Sequence, residues 1–477
     1  MYDGIDEIDE DENPAADDHR LRPEFHFAST NTWINDPNGL VFLDGEYHLF
    51  FQTNPDGSDW GNISWGHAVS HDLHRWHILD VALRPYQGRD SNLTMIFSGS
   101  AAVGRHGDFD GALVAHYTGH ERDGDTAIRE NVCLAVSHDG GRNWVRDRRN
   151  PILDLHLQDF RDPKVFWFKP DGIWVMVIVQ PTIRCVDIFR STDAVTWVAA
   201  GSFQPADTGV GLWECPDLFP ISVANSDDLK WVLVVSTSHP AGLPYTGMNY
   251  WVGDFDGSHF VADHSEPDPV EYGKDFYAGV TFNNLPEQSD PVMIAWASNW
   301  AYAAVTPTPS WRGVMSLPRR LWLEVVTDRY RLCQAPVTSF DELLAAPEFA
   351  VDGTRFLAAD LQIRLSHDSP ALVLRLQSSP VEWIEIGVSP ATRTAWIDRR
   401  NAGHADFHDS YATFDEAALQ VAGLEQIDVR IVVDHSIVEV FTCKGRTVLT
   451  SLMFPTAPWE IISESNLADL EVRRFRR

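Results

Sequence analysis

Short apolar runs divided by turn residues recur along most of the chain, and few stretches carry the spacing of an amphipathic helix. Gly39–Gln52 (GLVFLDGEYHLFFQ) holds two apolar runs around Asp44-Gly45, the signature of a hairpin closed by a two-residue turn. Trp174–Val179 (WVMVIV), Trp231–Ser236 (WVLVVS) and Val292–Ala297 (VMIAWA) read as buried strands. The pattern therefore predicts an all-β protein.

A weak repeat organises these strands. Ser70-His71-Asp72 leads to Trp76, Ser137-His138-Asp139 to Trp144, Ser191-Thr192-Asp193 to Trp197, and Asp254-Phe255-Asp256-Gly257 to Phe260. Each follows an apolar run. In each, an Asp is placed to bond its own turn backbone while the aromatic packs between sheets. The repeat distance, about 55–65 residues, is that of one four-stranded propeller blade with its loops, and Arg22 to about Ala335 holds five such units. A sandwich with decorated turns fits the same pattern. Beyond Pro336 the texture changes. Phe356–Leu365, Ala371–Gln377, Trp383–Val388, Thr394–Asp398, Gln426–Val433, Ile437–Phe441 and Val448–Met453 read as alternating strands, with Asp434-His435-Ser436 as a tight turn. That density suggests a β-sandwich. The expected organisation is an acidic disordered tail over 1–20, a five-bladed β-propeller over 21–335 and a β-sandwich over 336–477.

Composition narrows the partners. The net charge is −32, and Asp3, Asp6, Glu7, Asp9, Glu10, Asp11, Glu12, Asp17 and Asp18 crowd the first 20 positions. This argues against nucleic acid or an anionic membrane, both of which need clustered cations. Lysine appears only at 164, 169, 230, 274 and 444, which fits a high-salt interior or a GC-rich genome. The five cysteines are odd in number and widely spaced, without a CxxC pair. They suggest neither a zinc site nor a disulfide framework, and mostly free thiols fit a reducing compartment. No signal peptide or membrane span is visible, so a cytoplasmic location is the default; a mature secreted form with its signal removed would read the same. The 18 Trp suit strand-rich cores and the stacking of sugar faces equally well.

Three clusters set an acid among aromatics, Pro and Gly: Trp33-Ile34-Asn35-Asp36-Pro37-Asn38-Gly39, Phe160-Arg161-Asp162-Pro163, and Leu212-Trp213-Glu214-Cys215-Pro216-Asp217. Asp-Pro or Asn-Gly alone is an ordinary turn. Carboxylates flanked by Trp and Phe are partly desolvated, which tunes them for catalysis. Glycoside hydrolysis needs such a set, one carboxylate to attack and one acid to protonate the leaving oxygen.

The chain resembles glycoside hydrolase family 32 from Phe25 to its C-terminus. WINDPNGL at Trp33–Leu40 is similar to that family's first signature, with Ile34 where Met is commoner. FRDP at Phe160–Pro163 and WECP at Trp213–Pro216 match its other two. Phe50-Phe51-Gln52, Trp60–Ser70 (WGNISWGHAVS), Phe97–Ser100 (FSGS), Asp275–Ala278 (DFYA), Ser298–Trp300 and Trp311–Gly313 extend the match. The resemblance, strongest to exo-inulinases and levanases, implies a five-bladed propeller followed by a sandwich. It also implies a retaining hydrolysis of terminal β-D-fructofuranosyl units from fructan or sucrose, with no metal or other cofactor. Asp36 would be the nucleophile, Glu214 the acid/base and Asp162 the transition-state stabiliser. Asp36 and Asp162 should stay ionised while Glu214 holds a proton, and the Asp36 and Glu214 carboxyls should lie about 5–5.5 Å apart. Asn35, Gln52, Ser98, Arg161 and Asp275 would bind sugar hydroxyls, and Trp60, Phe97 and Trp300 would form apolar walls. Cys215 reads either as a tuning residue or as a small buried filler, and His26 and His67 as structural. A fructosyltransferase on the same carboxylates, such as a difructose anhydride-forming levan fructotransferase, stays open, its acceptor site resting on loops such as His239–Met248. A non-catalytic sugar-binding propeller is disfavoured because all three carboxylates are present. The sandwich reads as a carbohydrate module or a brace for the propeller, the brace favoured because its strands carry no clear aromatic platform, and a homodimer contact through it is an open expectation.

Overall fold

In the computed structural model, residues 19–88, 92–205, 211–238, 247–463 and 469–476 are described. The acidic stretch over 1–18 and positions 239–246 of the expected acceptor loop lie outside the described residues. Five antiparallel sheets of four or five strands follow one another, and two six-stranded sheets close the chain. No described helix is long and apolar enough to cross a membrane.

The innermost strands of the five sheets are Trp33–Leu43, Leu93–Val103, Arg161–Phe168, Leu212–Ser222 and Tyr277–Thr281. Each touches the next, and the last returns to the first, so the sheets stand radially around one axis. The cores show why the ring holds. Each apolar cluster is shared between neighbouring sheets: Phe50, Trp65, Ile96 and Tyr117 between the first and second; Val132, Phe160, Trp174 and Met176 between the second and third; Val177, Leu218, Leu233 and Trp251 between the third and fourth. Val232, Val234, Met293 and Leu321 join the fourth to the fifth, and Ile34, Leu49, Phe51 and Ile294 join the fifth back to the first. Strands buried on both faces read as continuous apolar runs, and no sheet can hide its faces alone.

The repeated turns behave as their chemistry requires. Asp72 accepts the backbone N–H groups of His74 and Arg75 and the Ser70 hydroxyl. Asp139, Asp193 and Asp256 cap their turns in the same way. Trp76, Trp144, Trp197 and Phe260 then pack into four successive inter-sheet clusters. Asp44 and Gly45 close the first hairpin at φ 51° and 86°, the positive values that a tight hairpin turn demands.

The two C-terminal sheets face each other across a core that includes Leu361, Leu374, Ile386, Ile431, Val440 and Ile461. Two further clusters tie this sandwich to the propeller: one holds Leu21, Tyr302, Trp311, Tyr411 and Leu452, the other Leu317, Phe340, Val432 and Phe441. Buried charge crosses the same junction. The backbone N–H groups of Glu24, Phe25 and His26 all donate to the Asp434 carboxylate, and the His26 ring lies between Asp434 and Glu439.

Candidate active site

Ladder pairing breaks in the first half of every inner strand, and in the first strand again between Asn38 and Val41. The register shifts between Ile34 and Pro37, Phe97 and Gly99, Arg161 and Lys164, Glu214 and Asp217, and Tyr277 and Val280. Three of these bulges carry Asp36-Pro37, Asp162-Pro163 and Cys215-Pro216; the other two carry Ser98-Gly99 and Ala278-Gly279. A proline supplies no ladder N–H, so pairing fails where it stands. At Gly99 a β-carbon would overlap the His116 carbonyl oxygen of the next strand. Bulges re-aim side chains, and here they turn one residue per sheet toward the axis. Asp162, Cys215 and Ala278 hold φ of 66°, 47° and 54°, each a strained value costing about 1–3 kcal/mol that the surrounding packing must enforce. The freed N–H groups find side chains: Asp162 donates to Thr118, Cys215 to Asp162, Ala278 to Ser236 and Gly99 to Asn38.

Asp36 is 7% exposed. Its Oδ2 accepts the Ser98 hydroxyl at 2.5 Å and Gln52 Nε2 at 3.5 Å; Oδ1 accepts Asn35 Nδ2 at 3.1 Å. Asn35 also donates to Gln52 at 3.0 Å and accepts from the Trp33 indole at 2.7 Å, so the amides are locked in one orientation. Asp162 Oδ2 accepts the Cys215 N–H at 2.9 Å, and the Cys215 thiol sits 3.4 Å from Asp36 Oδ2 and 3.7 Å from Asp162 Oδ2. Cys215 is thus the contact that joins the two aspartates, beyond a filler. Glu214 Oε1 accepts Arg161 Nε at 3.2 Å and Nη2 at 3.0 Å; its Oε2 accepts the Tyr277 hydroxyl. Arg161 Nη1 meanwhile donates to Glu130 at 3.1 Å and Asp159 at 3.2 Å.

The electrostatics differ from the expectation that both aspartates stay ionised. Burial, reinforced by the Glu214 charge and opposed by the Ser98 hydroxyl, pushes Asp36 above the usual carboxylate range. Burial also pushes Asp162 up to about 8, with Arg161 opposing and Glu214 and Asp36 adding to the rise. Three acids crowd one dry site beside a single guanidinium, so each charge raises the cost of the next.

Aromatic walls flank the acids. Trp60 is 39% exposed and meets the Phe97 ring edge-on, with centroids 6.4 Å apart. Trp300, 36% exposed, packs on Trp33 and Trp296. A cavity of about 310 Å³ runs from Trp60 and Phe97 past Arg161 to Glu214. A larger one, about 980 Å³, opens at the other ends of the inner strands between Phe42, Lys164, Phe166, Trp231 and Phe282, away from these acids.

Asp275 is not among the converging residues. It is fully buried, and its carboxylate is taken by the Arg399 guanidinium, the Tyr302 hydroxyl and the Leu452 N–H. Those partners put it in the junction between propeller and sandwich, which corrects its expected role as a sugar ligand. Its motif contributes Tyr277 instead. His26 is ion-paired at the domain junction, and His67 bonds His48 at 3.0 Å and stacks on Phe50; both are structural. Glu130 and His120, which complete the far side of Arg161, escape a motif reading. The available signal is alternation: Glu130 shares a face with Val132 and Leu134, where an unpaired charge is too costly to leave.

Residues 26–336 match the description "Glycosyl hydrolases family 32 N-terminal domain" and residues 334–473 "Glycosyl hydrolases family 32 C terminal". A levanase of Bacillus subtilis is 35% identical over 92% of this chain and 67% of its own length. An extracellular exo-inulinase of Aspergillus awamori is 32% identical over 92% of this chain and 90% of its own. The crystal structure of the exo-inulinase from Aspergillus awamori superposes with a TM-score of 0.86 at 30% identity, covering 96% of this chain and 98% of that one. A Schwanniomyces occidentalis fructofuranosidase complexed with fructose superposes at 0.83 and 28% identity, with coverages of 96% and 98%. The fold superposes on these relatives over nearly its whole length, and the chain belongs to glycosyl hydrolase family 32.

Proposed function

We propose that this protein is a retaining β-fructofuranosidase that releases terminal fructose from levan or inulin, and from sucrose. The observation that carries the reading is the meeting of Asp36, Asp162 and Glu214, from three different strands, around Cys215 and Arg161. The names of the relatives, levanase and exo-inulinase, point to the same substrates.

In this reading Asp36 attacks the anomeric carbon while Glu214 gives its proton to the departing glycosidic oxygen. A covalent fructosyl-Asp36 forms; Glu214 then takes a proton from water, which displaces Asp36 and frees fructose with retained configuration. Burial raises the cost of a negative charge on Asp36 and Asp162. The positive charge that grows on the sugar relieves this, so the transition state is held better than the substrate. Asn35, Gln52, Ser98 and Arg161 hold hydroxyls, and Trp60, Phe97 and Trp300 exclude water from the ring faces. Hydrolysis is preferred to fructosyl transfer because the relatives are named for degradation.

The five cysteines are all buried and unpaired, which suits a reducing interior, while the exo-inulinase relative is named extracellular; a secreted mature form stands beside the cytoplasmic default. Two sheets of the sandwich packed on the propeller support the brace role, with the domain division near residue 336; light scattering tests whether the chain pairs as a homodimer.

The function is tested by following products on levan, inulin and sucrose over time by chromatography. Fructose as the sole early product from the polymers is expected. Difructose anhydride or longer oligomers would overturn hydrolysis in favour of transfer.

A further inference from the structure

Arg161 reaches Glu214 on one side and is held on the other by a carboxylate that the reaction does not consume. Glu130 lies on Thr126–Ser137, a strand of the second sheet, and is 2% exposed. Its Oε2 accepts Arg161 Nη1 at 3.1 Å and the Phe160 N–H at 3.0 Å. Its Oε1 bonds His120 Nδ1 at 2.9 Å. The His120 ring lies parallel to Phe97, with centroids 4.1 Å apart and planes 8° apart, and Phe97 in turn meets Trp60. Glu130 therefore touches both the guanidinium that clamps the acid and the support of the aromatic wall, in one cleft.

Burial works against a charge on Glu130, yet Arg161 and His120 outweigh it and hold the carboxyl below its usual range. The other partner of Arg161 Nη1, Asp159, is 44% exposed and screened by water. Left to Asp159 alone, the fork has no fixed second anchor, and Nε and Nη2 lose their aim at Glu214.

Resting on the reading of Glu214 as acid/base, we propose that Glu130 is a positioning residue that fixes Arg161 against Glu214 and, through His120, sets the Phe97–Trp60 wall. The groups facing Glu214 are Arg161, Tyr277, Cys215, Asp36 and Asp162, and behind Arg161 stand Glu130, Asp159 and His120. Freeing Arg161 from Glu130 withdraws the guanidinium from Glu214, which outweighs the loss of the more distant Glu130 charge, so the site holds its proton to higher pH.

Glu130→Gln keeps the shape and removes the charge. The expected result is a loss of about tenfold in kcat on fructan with KM nearly unchanged. The basic limb of kcat/KM should move up by about half to one pH unit. Glu130→Asp, which keeps the charge, should return the limb to the wild-type position. A Glu130→Gln enzyme with a lower melting temperature but the wild-type pH profile and kcat per folded molecule would overturn the proposal. Should that variant not fold, His120→Gln carries the test: a loss in kcat with an unmoved limb is expected, and a wild-type kcat overturns it. Glu214→Gln is assayed beside them on fructan and on β-fructosyl fluoride. Equal losses on both would sink the Glu214 reading itself, whereas a selective loss on fructan with an unaltered Glu130→Gln profile would sink only the proposal.

Discussion

At the residue scale the site is a problem in placing negative charge where water is scarce. Asp162 has an N–H donor from Cys215, while burial, with Arg161 opposing and two neighbouring acids adding, raises the cost of its charge. Its anionic form becomes favourable once the sugar carries positive charge. Asp162→Asn should therefore reduce kcat by about 10²–10³-fold while fructose inhibition weakens far less. Parallel losses in kcat and in fructose affinity would make Asp162 a simple ligand. The acids were legible in the sequence because each sits beside Pro or Cys-Pro in an aromatic motif. Glu130, His120 and Tyr277 were not, because their partners lie 10 to 63 residues away and only folding brings them together. Asp275 misled for the same reason: its partners Arg399 and Leu452 belong to the other domain.

At the element scale the bulge is the working unit. Strands and turns follow from apolar runs and Asp-bonded turns, and the structure shows them where that pattern lay. The bulges were not foreseen, although Asp-Pro and Cys-Pro inside buried strands state the reason for them. Gly99 is the sharpest case, because the neighbouring strand passes where its β-carbon would stand. Gly99→Ala should destabilise the fold by about 1–3 kcal/mol and displace Ser98 from Asp36, lowering kcat as well as the unfolding midpoint in urea. A variant with both unchanged would show that the strands separate freely and that the bulge does not set Ser98.

For the whole molecule, the ring of sheets is bound to the sandwich by apolar clusters and by buried charge, and this gives stability a window in pH. Burial alone would lower His26, but its hydrogen bond to Asp434 and the charges of Asp434 and Glu439 outweigh that and raise it to about 9. A histidine raised on folding contributes stability that is full below about 6.5 and lost as pH rises through about 9. Burial lowers His48 to about 4 and, acting with the adjacent His48, also lowers His67 well below the usual imidazole range. Their contribution is full above about 6.5 and lost as pH falls toward 4. The melting temperature should thus be highest near neutrality and decline on both sides. His26→Gln should flatten the alkaline decline and leave the acid one; an unchanged alkaline slope would remove His26 from the account. The period of the Asp-turns made the ring legible in the sequence. The strap from Glu24 to His26 across Asp434 was not, since it pairs residues 408 to 410 positions apart.

The central claim, that Asp36 forms a bond to the sugar, is tested most directly by trapping it. Glu214→Gln should still react with β-fructosyl fluoride, whose leaving group needs no proton, but lack the base for the second step, so the intermediate accumulates. Quenching in acid, peptic digestion and mass spectrometry should show the mass of one fructosyl residue on the peptide containing Trp33–Leu40, located at Asp36. A consumed donor with no modified peptide, or a label on Asp162, would contradict the account.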